Sequence, residues 1–228
     1  ETHARGGLVS YNHPFGATVE DSERPRTNAE QLAILLRNRA EGADLLEVGY
    51  RSRGGATLTD HLWLWDQAAL AGLRLVGTGV SDSHGGPENR WRGTPNNFVS
   101  WIWAPTSSKR DLIAGLRAGR VYFGDLERFD GELDLVLDSG ERMGATVTTE
   151  RTECEVELHA RGLRGGERIV VVESGVPGAS HECDGADTVL RQHLKLPPGP
   201  AFVRFEVHDE SGPIALSNPI HFVRPAAR

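Results

Sequence analysis

The 228-residue chain is short of several residue types, and each shortage closes a class of function. It has one methionine and two cysteines, and Cys154 and Cys183 are too far apart for a C-x-x-C zinc pattern. One disulfide and two buried free thiols are both compatible with that pair. Lysine occurs only at Lys109 and Lys195, and no Lys or Arg run tracks a phosphate backbone. With a net charge of -7 and a pI near 5.7, the chain is not expected to bind nucleic acid. No apolar run approaches the roughly 20 residues that span a bilayer, so no membrane integration is expected. There is no internal repeat and no low-complexity tract. The chain opens on Glu-Thr-His, without Met or a signal-like region, which predicts a processed or truncated polypeptide and leaves secretion and cytoplasmic residence both open.

What is present describes a globular chain with a sizeable core: 38% hydrophobic and 25% charged residues, enough for one large domain or two ordinary ones. Up to about residue 126 strands and helices alternate. "GGLVSYNHP" is an apolar run broken at Asn12, His13 and Pro14. "TNAEQLAILLRNRAEG" predicts a helix with a Thr27/Glu30 capping box and Gly42 as its stop. "ADLLEVGY" predicts a strand, "TDHLWLWDQAALAGL" a helix closed by Gly72, and "RLVGTGVSDSH" a third strand. "SSKRDLIAGLRAG" predicts a helix boxed by Ser108 and Asp111, and "VYFGD" a last short strand. This order predicts parallel βα units, with polar residues gathered at the carboxyl ends of the strands.

From about residue 130 short alternating stretches replace that pattern. Glu153, Glu155 and Glu157 interleave with Cys154, Val156 and Leu158, as in a half-exposed antiparallel strand, and several such strands predict a small β-sandwich. The domains expected are therefore 1–126 and 127–228, with "LERFDGE" as linker.

Asp82 and His84, two apart at the end of the third strand run, project to one side of an extended chain and are suited to holding one ion. An Asp turn with a surface histidine is the competing reading. Arg90 and Arg92 follow in a loop from which a guanidinium fork suits a phosphate, with solvated surface arginines as the alternative. His61 on its helix reads as structural or exposed.

Taken together, "GGLVSYNHPFG", "ADLLEVGY", "LWDQAALAGLRLVGTGVSDSHGG" and "LIAGLRAGRVYFGD" resemble the carboxyl-terminal part of the PHP (polymerase and histidinol phosphatase) family of metal-dependent phosphoesterases. "FVRFEVHDESGPIALSNPIHF" is similar to the β-sandwich appended in one branch of it. The resemblance implies an α/β fold, a partial distorted β/α barrel of the PHP type, plus an all-β sandwich domain. It implies two or three divalent ions (Zn, Mn or Fe) in an intact site, with His13, Asp82 and His84 as ligands. Read from the residues themselves, Asn12 either orients a ligand or substrate or caps the backbone before Pro14, and Glu47 either supports a ligand or forms a buried salt bridge with a nearby arginine. The family's H-x-H ligands precede the region matched, so an upstream segment or second chain is expected to complete the barrel.

The function expected on that basis is hydrolysis of a small phosphate ester, or another ester, by metal-activated water. The alternative is a non-catalytic binding or scaffold protein with a degenerate barrel and a β-sandwich interaction domain.

Overall fold

A computed structural model describes residues 1–16, 26–37, 39–82, 96–183 and 185–225. β1 (Ser10–Tyr11) leads to α1 (Asn28–Arg37), which opens on the expected cap: the Glu30 carboxylate accepts from the Thr27 amide at 2.9 Å, and the Thr27 hydroxyl accepts from the Glu30 amide at 3.3 Å. The helix stops at Arg37 instead of running to Gly42. A tight turn over Arg39–Gly42 follows, with positive φ at Arg39, Ala40 and Glu41, and it places the fully buried Ala40 in the core.

β2 (Leu45–Gly49) is followed by β3 (Ser52–Arg53) and β4 (Ala56–Thr57), a hairpin turning on Gly54 and Gly55. Both glycines have positive φ, 59° and 77°, which a two-residue hairpin loop of this kind needs at both positions. Thr57 and Asp60 then form a capping box for α2 (Leu58–Leu70), and β5 (Val76–Gly79) returns the chain. The parallel sheet is ordered β1-β2-β5.

β6 (Phe98–Ile102), α3 (Lys109–Arg117) and β7 (Val121–Asp125) come next. Here the expected barrel gives way. β6 and β7 pair antiparallel with each other, and the far edge of β7 pairs antiparallel with β15 (Gly212–Ser217) from the other end of the chain. Parallel strands need crossover connections that carry the chain back to the starting edge. The crossovers before β2 and β5 do so, whereas α3 lies between two antiparallel partners. Among the described residues the parallel sheet therefore stops at three strands. Over the described residues the molecule is mostly β, 44% strand and 19% helix with three α-helices, and no α/β barrel is evident among them. The expected partial β/α barrel of the PHP type is thus corrected to a mostly β molecule built around a sandwich.

The remaining strands are β8 (Glu132–Leu137), β9 (Thr146–Thr148), β10 (Glu153–Arg161), β11 (Arg168–Glu173), β12 (Val176–Glu182), β13 (Asp187–Lys195), β14 (Gly199–Asp209), β15 as above and β16 (Ile220–Arg224). A small sheet is ordered β13-β10-β8. A large one is ordered β12-β11-β14-β15-β7-β6, with β16 pairing β14 and β9 pairing β16. Leu133, Leu135 and Leu137 from β8 and Cys154, Val156 and Leu158 from β10 meet Val203, Phe205 and Val207 of β14 in the core between the sheets. This is the alternation expected of strands with one solvated face.

The large sheet is covered on its other side as well. Phe123 of β7 and Leu216 of β15 join a second core with Leu46, Val48, Leu64 and Trp65. With α2 packed on it, β14 is buried continuously from Ala201 to Val207, and its second face carries Arg204 and Glu206. Buried charges need partners. The Arg204 guanidinium donates to both Asp66 oxygens of α2, at 2.9 and 2.8 Å, and to Glu206 at 2.5 Å, and it lies 5.6 Å from the Trp65 ring centroid.

The junction between β5 and the sandwich uses side chains as a substitute ladder. The Gly77 amide donates to Asn218 Oδ1 at 2.7 Å, and Asn218 Nδ2 donates to the carbonyls of Gly77 and Val121, each at 2.8 Å. Ser100 Oγ accepts from the Gly79 amide at 2.9 Å and donates to the Gly79 carbonyl at 3.0 Å. Both cysteines are buried.

Candidate functional site

Polar side chains gather at the carboxyl ends of the three parallel strands. His13, two residues beyond β1, and Asp82, three beyond β5, both adopt left-handed backbone, with φ of 44° and 51°. Asn, Asp and His are the non-glycine residues that enter that region most readily. Glu47 of β2 lies between them in sheet order. Its Oε2 accepts from the His13 amide at 3.0 Å and from the Tyr50 hydroxyl, and it stands 3.4 Å from His13 Nδ1. The Tyr50 hydroxyl is also 3.4 Å from His13 Nδ1. Burial, with the Glu47 hydrogen bond and charge, holds Tyr50 well above the usual phenol range, so it stays a donor.

His61 completes the group. It is 1% exposed, its Nδ1 donates to the Thr57 carbonyl at 2.8 Å, and its Nε2 is buried without a hydrogen-bond partner among the described residues. Burial lowers its pKa, and the neighbouring His13 adds to that. Phe15 meets the His61 ring edge-on at 4.9 Å and Tyr50 lies 5.3 Å from it.

Of the residues expected to form a site, His13 and Glu47 are in contact. Asp82 pairs with Arg53 from the β3–β4 hairpin, and Asn12 is exposed. His84, Arg90 and Arg92 lie outside the described residues. Among the described residues, no three His, Cys, Asp or Glu side chains converge as ligands for one ion. The donor set in view does not match a divalent centre, since Asp82 faces a guanidinium and Glu47 accepts from a hydroxyl and an amide. Tyr50 and Arg53 escaped sequence reasoning, and His61 reads from sequence only as structural or exposed. The hairpin that carries Arg53 toward Asp82 had one local signal, the Gly54-Gly55 pair.

A second candidate lies on the outer face of the small sheet. Glu132, Asp134 and Val136 point outward from β8 and His159 and Arg161 from β10, and with Trp103 and Arg142 they line a groove of about 300 Å³. Asp134 accepts from Arg120 at 2.9 and 3.3 Å and from Arg142 at 2.5 Å. Arg161 donates to Glu132 at 3.2 Å, and the Trp103 indole N–H donates to the Leu133 carbonyl at 2.8 Å. Next to the groove, strand register sets Glu153 opposite Lys195, Glu155 opposite His193, Glu157 opposite Arg191 and Arg161 opposite Asp187. Every one of these pairs joins an acid to a base.

No helix among the described residues is long and apolar enough to cross a membrane. No protein-family model matches the chain, so the PHP resemblance finds no support there, and no curated protein matches it. Solved structures give faint likenesses. The fibronectin(III)-like modules of Clostridium thermocellum CbhA align at 12% identity and a TM-score of 0.31, covering 41% of this chain and 99% of theirs. The CARDB domain of the Pyrococcus furiosus PF1109 protein, in complex with di-metal ions, aligns at 14% and 0.29, covering 41% and 94%. The endo-beta-1,4-mannanase of Thermotoga petrophila aligns at 12% and 0.30, covering 86% and 43%. At these TM-scores none of the three bears on the fold or activity of this chain; the expected PHP barrel is overturned by the chain's own strand content and topology.

Proposed function

We propose that the chain is a non-catalytic interaction protein whose β-sandwich binds a neutral, polyhydroxylated ligand, a glycan, in the groove on the small sheet. The observation that carries this reading is the balance of the groove's charges. Glu132 and Asp134 are matched by Arg142 and Arg161, with Arg120 behind, so the groove offers fixed donors and acceptors in similar number beside the Trp103 ring. A sugar hydroxyl both donates and accepts, and a sugar ring face stacks on an aromatic. An acidic or basic peptide would favour an excess of one sign.

Calorimetric titration with soluble oligosaccharides of differing backbone tests it. One class should bind saturably, and Trp103→Ala and Glu132→Gln should each weaken it at least tenfold. Binding of no oligosaccharide, or binding indifferent to both variants, would overturn the reading.

A second reading, hydrolysis of a small ester at the strand-end cluster, is favoured by the paired left-handed residues His13 and Asp82 around Glu47. Phosphate release from an aryl phosphate, with and without added manganese or zinc, separates the two. Turnover lost in His13→Ala supports hydrolysis, and no turnover under either metal removes it.

A further inference from the structure

A third cleft, of about 180 Å³, lies where the amino end of β5, the carboxyl end of α3 and strands β9 and β16 meet. Arg74, Arg117, Thr146 and His221 line it, and among the described residues no Asp or Glu does. In a chain of net charge -7, a cleft holding two guanidiniums and no acid is a local reversal of sign. Arg74 has no acidic partner among the described residues, and Arg117 gives one hydrogen bond, to the Gly6 carbonyl at 3.1 Å, leaving further donors on its fork. Asn218, also at the wall, has its amide engaged by Gly77 and Val121 and fixes the cleft's floor without contacting a ligand.

We infer that this cleft is a binding site for a small oxyanion, a phosphoryl or carboxylate group, gripped by Arg74 and Arg117 and contacted by His221. Guanidinium forks match the planar or tetrahedral oxygens of such groups and bind them by paired, charge-assisted hydrogen bonds. His221 is 6% exposed, and burial first, then the Arg74 charge, push its imidazole down to about 4. At neutral pH it therefore enters as an uncharged donor or acceptor. An anion beside Arg74 offsets the positive field that the imidazole feels, so ligand binding and His221 protonation are thermodynamically coupled.

Titration of the full chain with inorganic phosphate, and separately with acetate, followed by NMR, tests the site. The expected result is saturable shifts of the His221 ring and of the Arg74 and Arg117 side chains, with the His221 titration midpoint moving upward when ligand is present. Phosphate binding more tightly than acetate assigns a phosphoryl group, and the reverse order a carboxylate. Arg74→Ala with Arg117→Ala should weaken binding at least tenfold. Both residues are exposed, so folding should persist, while Arg110→Ala, on a 91%-exposed side chain of α3 that does not line the cleft, leaves binding unchanged. Linear, non-saturating shifts with both anions, or affinity kept in the double variant, would overturn the site.

Discussion

At the scale of single residues, burial decides reactivity more than identity does. Cys154 is 3% exposed inside the sandwich, and burial, with the Asp138 charge adding, pushes its thiol up to about 11. A thiol reacts as its thiolate. Cys154 should therefore resist a disulfide reagent at pH 8 in the folded protein and react at once in denaturant; equal rates in the two states would contradict the packing. Gly77 is constrained in the opposite way, by what lies beside it. A Cβ there would fall 2.6 Å from the Trp65 ring, and overfilling a packed core costs roughly 1–3 kcal/mol. Gly77→Ala should lower stability by that order in urea denaturation.

Elements are joined here by a few polar side chains placed where a backbone ladder is missing. The Asn218 side chain serves three backbone groups; Asn218→Ala strands the Gly77 amide and the Gly77 carbonyl in buried surroundings, while the Val121 carbonyl keeps the backbone amide of residue 218 at 3.2 Å. An unsatisfied buried polar group costs about 1–3 kcal/mol. The expected loss of at least about 2 kcal/mol should show as a shifted denaturation midpoint, with protection of the Gly77 amide against hydrogen exchange falling first. On the small sheet the β10–β13 pairs are exposed and individually weak. Arg191 donates to Glu157 at 2.6 Å, and Glu157→Lys would set like charges opposite each other. That change should cost about 1 kcal/mol or less and shrink in high salt.

For the molecule as a whole, stability in acid depends on buried groups in different places, the histidines His221 and His61 in one pH window and Glu206 in a lower one. His221 has an ordinary value of 6.5 and a folded value of about 4, so the unfolded chain takes up its proton first. The stability it contributes is complete above pH 6.5 and is lost as pH falls toward 4. Glu206 follows at lower pH. Burial alone would raise it, but the Arg204 charge and the hydrogen bonds from His208 and Arg204 outweigh burial and hold it at about 2, against an ordinary 4.5. Its contribution is intact above 4.5 and disappears between 4.5 and 2. Denaturation measured across pH should show both windows. His221→Gln should shrink the upper one, to which the buried His61 also contributes, and leave the lower one in place; a profile unchanged by that variant would contradict the assignment. Arg204→Met, which leaves Asp66 and Glu206 buried without their cation, should cost roughly 3–5 kcal/mol and loosen α2 from the large sheet.

The sequence by itself determined what depends on near neighbours. Thr27 with Glu30 caps α1, Ser108 accepts from the Asp111 amide at 3.2 Å to start α3, and alternation in β8 and β10 marks their inner faces. Even here contacts intervene, because the Asp111 carboxylate turns to Thr106 at 2.5 Å and does not close the expected box. Only the tertiary structure decided where β6 and β7 go. Their local pattern suits a further βα unit equally well, and the choice is made by β15, some ninety residues later, supplying an antiparallel edge. Asn218 likewise reaches Gly77 across 141 residues, and Arg204 reaches Asp66 across 138. Hydrogen-bonding edges and buried charges are satisfied by whatever the folded chain brings to them, and no periodicity or spacing in the sequence records that partner.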